Sequence, residues 1–184
     1  MTTSLLVYFF VPLLTFINHY IALSMKTTEQ WLDEYGESHR DHTNKLIHWV
    51  CVPAIMFSLI GLLSSIPAES LASLFPARLA PFANWGTVFL LLTLVFYLRL
   101  SFVMFLGMLL IGTLMVCGIY LLRQQTLLPL WTFSLLLFTV AWIGQFIGHK
   151  IEGKKPSFFK DLQFLLVGPA WLLSFIYQKL GIRY

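Results

Sequence analysis

Charge is what this sequence has least of. Of its 184 residues, 11% are Asp, Glu, Lys or Arg, against the roughly 25% of a soluble domain, and that deficit excludes an ordinary water-soluble fold. Cysteine is equally sparse. Cys51 and Cys117 both sit inside apolar runs, so a disulfide framework is excluded, and there is no C-x-x-C pair to hold a metal or exchange electrons. The five histidines are too few for the clustered boxes of a di-iron lipid hydroxylase or desaturase, and no H-x-x-H-H occurs. The alternating short strands of a transmembrane β-barrel are missing, and so is any internal repeat. The basic excess of +4 is modest and stands at the ends of apolar runs rather than in a cluster. That distribution points to topology and anionic headgroups, and away from nucleic acid.

What is present is apolar length. Hydrophobic residues make up 58% of the chain and the mean hydropathy is +0.80. Stretches such as Leu100–Leu122 and Thr126–Ile147 match the roughly 20 residues needed to cross a bilayer. The expected fold is all-α, a polytopic membrane helix bundle. It has four core transmembrane helices, a C-terminal hydrophobic helix and an N-terminal apolar segment. Residues 1–24 are that segment, either an extra span over 5–23, with Pro12, Asn18 and His19, or sequence ahead of an alternative start at Met25. Residues 25–184 form the membrane-embedded domain.

Within that domain, Thr27–Glu37 reads as a short amphipathic surface helix, with Thr27 and Gln30 in capping-box spacing. Trp31, Leu32 and Tyr35 share a face that His39 continues. Asn44 is expected to cap a first span over about 45–65, with His48 in its first turn. Pro67, Pro76, Pro81 and Asn84 mark a loop. The apolar run Phe82–Leu122 would be roughly 60 Å long as one helix, twice the hydrocarbon core, so two spans should meet near Arg99-Leu100-Ser101. A fourth span follows over 127–148. The tail 158–180, with Gly168-Pro169 at its centre, either crosses as a kinked helix or dips in and returns.

Four crossings from Asn44 return the chain to its starting side at His149. That side carries Lys26, Arg40, Lys45, Arg99, Lys150, Lys154, Lys155 and Lys160, and the positive-inside rule makes it cytoplasmic. The membrane is the inner one in a bacterium and the endoplasmic reticulum in a eukaryote. His39, His48 and His149 can therefore converge at one interface, with Glu152 three residues after His149. His39 and His48 are out of phase on a continuous helix, so they can share a ligand only if the backbone breaks near Asp41–Asn44. Three imidazoles with an optional carboxylate suit Fe(II), Zn(II) or Cu(II). The plainer reading makes each of these histidines an interfacial anchor, as His19 and His42 are taken to be.

The pattern Tyr35…His39-x4-Asn44-x3-His48-x4-Pro53, then Trp142-x2-Gln145-Phe146-x-Gly148-His149, Glu152, Lys155-Pro156, Asp161 and Pro169, resembles the 2-hydroxy fatty acid dioxygenases. These are small membrane proteins with a fungal endoplasmic-reticulum member in phytosphingosine breakdown. In that family's pattern the acid stands four residues after the last histidine, where Glu152 here stands three after it. The resemblance implies an Fe(II) cofactor, O2 as co-substrate and a 2-hydroxy fatty acid shortened by one carbon. By motif, the metal ligands would be His39, His48 and His149. Glu152 would join them as a catalytic carboxylate, and Lys150, Lys154 or Lys155 would steer the substrate carboxylate. The competing reading is a non-enzymatic membrane scaffold or lipid-binding protein, in which the three histidines tolerate substitution.

Overall fold

A computed structural model describes residues 26–125, 128–153 and 164–184. The N-terminal segment with His19, residues 126–127 and residues 154–163, which include Lys154, Lys155, Pro156 and Asp161, lie outside them. The described residues form seven α-helices and a 3-10 turn, with no strand among them. They are α1 (Thr28–Gly36), α2 (His42–Ser64), α3 (Glu69–Ala72), the turn Ala80–Phe82, α4 (Trp85–Leu100), α5 (Phe102–Gln125), α6 (Leu130–Ile151) and α7 (Val167–Leu180).

Three helices, α2, α5 and α6, are long and apolar enough to cross a membrane, and α4 is a shorter apolar helix of 16 residues. At 1.5 Å per residue α4 covers about 24 Å, short of a 30 Å hydrocarbon core. Of the four expected core spans, three are thus long enough to cross a membrane, and α4 falls short. Leucines such as Leu92, Leu110, Leu114 and Leu136 face outward, as lipid contact requires.

The α4–α5 break falls where expected, at Ser101, whose extended backbone separates the helices and whose Oγ accepts from Val103 N–H at 3.2 Å. Asn84 caps α4 by accepting from Thr87 N–H, and it also takes a hydrogen bond from Ser64 Oγ at 2.8 Å. Arg123 Nη2 donates to Ser64 O at 2.7 Å. These bonds put the end of α2, the start of α4 and the end of α5 together. At the opposite end Thr28 Oγ1 donates to Leu100 O at 2.7 Å, tying α1 to the α4–α5 junction. The chain therefore runs up and down between the two ends of the bundle.

α2 and α6 pack antiparallel along stripes of small and polar residues, Asn44, His48, Ser58 and Gly61 against Ser134, Ala141, Gln145 and Gly148. A methyl at Gly61 would overlap Ser134 Oγ, and one at Gly148 would overlap Asn44 Oδ1. Small side chains let transmembrane backbones approach where lipid gives no hydrophobic drive.

α7 shows no kink at Gly168-Pro169. Pro169 is its third residue, in the first turn, where an N–H would lack an intrahelical partner anyway. Nine of the 14 residues of α7 are buried, so its apolar surface faces protein rather than lipid. Tyr97 Oη donates to Leu166 O at 2.8 Å and Tyr177 Oη to Val103 O at 2.7 Å. Both contacts lie in the half of the bundle that carries α1. Gly181, at φ 69°, closes α7 with a left-handed cap, a conformation that costs glycine little.

Candidate metal centre

The three histidines come from three elements. α1 ends at Gly36, and His39 sits in the loop before α2. The backbone break that lets His39 and His48 meet lies at Glu37–Asp41. Asp41, rather than Asn44, caps α2, because its Oδ1 accepts from Asn44 N–H at 3.0 Å. Both residues are good caps three apart, and the earlier one starts the helix. Asn44 is then one turn before His48, which stands in the second turn rather than the first. His149 is in the last turn of α6. His39, His48 and His149 are buried, and their ligand nitrogens all lie within 4.8 Å of one another.

Hydrogen bonding fixes the tautomers of two rings. His39 Nδ1 is 2.6 Å from Tyr35 O and His48 Nδ1 is 2.9 Å from Asn44 O. A carbonyl only accepts, so both Nδ1 atoms carry the proton and both Nε2 atoms present lone pairs. Those two Nε2 atoms lie 2.9 Å apart, facing each other. Two acceptors cannot satisfy one another, so the point between them suits a proton or a cation. Burial, and then the adjacent His48 imidazole, push the His39 pKa down to about 3, so at neutral pH that ring resists the proton. A divalent ion would satisfy both lone pairs, and the spacing fits one. Nitrogens about 2.1 Å from a shared ion and at right angles lie about 3.0 Å apart. Backbone carbonyls on the far nitrogens are the usual support of metal-ligating histidines.

Packing holds the rings in place. Tyr35 stacks on His39 with centroids 4.2 Å apart and planes 10° apart, and Trp171 of α7 lies 5.2 Å from the same ring. His149 is edge-on to both partners, at 5.2 Å from His39 and 5.1 Å from His48.

Glu152 is the C-cap of α6, and it turns to the α1–α2 loop instead of to the imidazoles. Its Oε1 accepts from Arg40 N–H at 2.8 Å, and its Oε2 from Asp41 N–H at 2.8 Å and Asn44 Nδ2 at 3.1 Å. Burial opposes its charge, but the N–H groups of Asp41 and Arg40 and the Asn44 amide outweigh it and hold the carboxyl below its ordinary range. Among the described residues, the metal-competent group contains the three histidines and no carboxylate.

A family model described as "2-hydroxy-palmitic acid dioxygenase Mpo1-like" matches residues 25–180. The chain belongs to this family. No curated protein and no solved structure gives a match. The family match begins at Met25, just ahead of the first described helix, and takes in all three histidines of the centre.

Beside the centre lies a cavity of about 30 Å³, lined among others by Tyr35, Val52, Trp142, Gln145, His149 and Phe164. That is room for about two waters, far less than an acyl chain fills. Apolar walls with a few convergent polar groups are the usual make-up of a ligand site. Lys150 is exposed at the end of α6, and His42 is exposed in the first turn of α2. Spacing alone gave Gln145, Tyr35 and Trp171 no role. Gln145 does carry one signal, its position one turn before His149 on the same helical face.

Proposed function

We propose that this protein is an Fe(II)-dependent dioxygenase that converts 2-hydroxy fatty acids into fatty acids one carbon shorter, at the cytoplasmic face of its membrane. The observation that carries the reading is the pair of facing Nε2 lone pairs on His39 and His48, with His149 beside them. The family supplies the substrate class. In a bacterium the membrane is the inner one, and in a eukaryote the endoplasmic reticulum.

His39, His48 and His149 hold the ion. Bound Fe(II) supplies redox chemistry with O2 and coordination positions left open by the protein. The chain's own residues do the rest. Tyr35 and Trp171 cover the His39 ring, and α7 seals that side of the centre from water. Glu152 fixes the loop that carries His39. The exposed Lys150, with Lys154 and Lys155 beyond the described residues, draws the substrate carboxylate to the interface. The small cavity receives only the reacting end of the lipid, and the acyl tail stays among the apolar surfaces that face the bilayer. The overall reaction balances without a further reductant. R–CHOH–COOH and O2 give R–COOH, CO2 and one H2O, and the four electrons lost by the lipid are those that O2 takes up.

Oxygen uptake tests the reading. Detergent-purified protein loaded anaerobically with Fe(II) and given a long-chain 2-hydroxy fatty acid should consume O2 and yield the acid one carbon shorter. His149→Ala should abolish both uptake and iron binding. Iron binding without uptake would discard the substrate, and neither would leave a lipid-binding scaffold as the better account.

A further inference from the structure

Three imidazoles make up the metal-competent group, and the nearby carboxylates are engaged elsewhere. Glu152 accepts three hydrogen bonds from the α1–α2 loop and Asn44, and Asp41 caps α2. Among the described residues, Gln145 is a further candidate donor. It is 7% exposed in the interior of α6, one turn before His149, and lines the cavity with it. Its amide lies close enough to the His48 ring to interact with it. With Nδ1 of that ring committed to the Asn44 carbonyl, the nitrogen left for Gln145 is Nε2, the atom that faces His39. Burying an amide in an apolar helix interface is costly unless it is used.

We propose that Gln145 is the fourth protein donor of the centre, through Oε1, and that the resulting all-neutral donor set leaves the ion its full charge for a carboxylate ligand. This rests on the metal reading above. The Gln145 amide can present either its NH2 or its oxygen to the His48 ring. A half-turn about the last side-chain bond brings Oε1 to the same point, at no cost in shape. Two histidines and a carboxylate, the common non-haem iron set, cancel part of the metal charge. Three imidazoles and an amide cancel none. An anionic substrate head is then bound by the metal charge itself, in a cavity with no Lys or Arg among its described lining residues.

Cobalt(II) is the probe, because its visible spectrum reports the donor set without O2 chemistry. Purified full-length protein in detergent is titrated with Co(II), then with acetate. Wild type should bind Co(II) and shift its spectrum on adding acetate. Gln145→Leu should bind Co(II) about tenfold or more weakly, with altered bands. Gln145→Glu, nearly isosteric, should bind Co(II) more tightly than wild type and lose most of the acetate response. Circular dichroism and thermal unfolding of the metal-free variants check the fold, and Gln145→Glu keeps the test open if the leucine variant unfolds. Wild-type affinity and spectrum in Gln145→Leu, or an undiminished acetate response in Gln145→Glu, would overturn the assignment while sparing the three-histidine centre. No Co(II) binding by wild type would overturn both.

Discussion

At the scale of single residues, the centre is a problem of protons. His39 and His48 each give their Nδ1 hydrogen to a backbone carbonyl, so both turn a lone pair toward the same point. Removing one of them should act on metal first and fold second. His48→Ala is expected to abolish stoichiometric Fe(II) or Co(II) binding, checked by metal analysis after desalting, while the helical signal in circular dichroism persists. Glu152 should behave differently. In Glu152→Gln one acceptor oxygen is replaced by an NH2 group facing backbone N–H donors. Leaving such donors unmatched costs about 1–3 kcal/mol. The variant should melt lower and bind metal about tenfold more weakly through a loosened His39 loop, yet turn over normally once saturated with iron. Loss of turnover at full occupancy would make Glu152 a participant in the chemistry instead.

At the scale of elements, the packing of α2 against α6 sets the distance between His48 and His149. Gly61 and Ser134 meet far along that interface, near its other end, so they test packing without touching the site. Gly61→Ala should cost about 1–3 kcal/mol by overpacking. Adding Ser134→Gly should recover part of that loss, because it removes the hydroxyl that the new methyl strikes. Thermal unfolding of the two single variants and the double variant measures the coupling. The helices were legible in the sequence wherever a breaker or a cap bounded an apolar run: Thr27 with Gln30, Asn84, Ser101. The three histidines were legible because span counting brought them to one face. The role of Glu152 was not, since its spacing from His149 has meaning only if α6 continues, and α6 ends at Ile151. The placement of α7 was hidden for a different reason. Apolar composition records that a segment is buried, and Trp171, Leu172 and Leu173 read alike whether lipid or protein covers them.

At the scale of the whole molecule, the two ends of the bundle differ in kind. One end gathers α1, the α4–α5 junction, the end of α6 and the centre, and the other gathers Ser64, Asn84 and Arg123 around the 66–84 loop. Anything that binds the folded centre must stabilise the whole bundle, because its ligands come from α2, α6 and the α1–α2 loop. A metal at a hundredfold its dissociation constant adds about 2.7 kcal/mol, so the melting temperature should rise with Co(II) concentration in wild type and stay flat in His48→Ala. The same two-ended arrangement fixes what each side of a membrane sees. His42, Lys150 and Arg78 are all exposed, the first two at the site end and Arg78 in the opposite loop. In a background without Cys51 and Cys117, His42→Cys and Lys150→Cys should react with an impermeant maleimide from one side of sealed vesicles, and Arg78→Cys from the other. Labelling of the first two from the cytoplasmic side would agree with the charge bias. Labelling of all three from one side would mean that α2, the helix between His42 and the 66–84 loop, does not cross, and would overturn the two-sided arrangement.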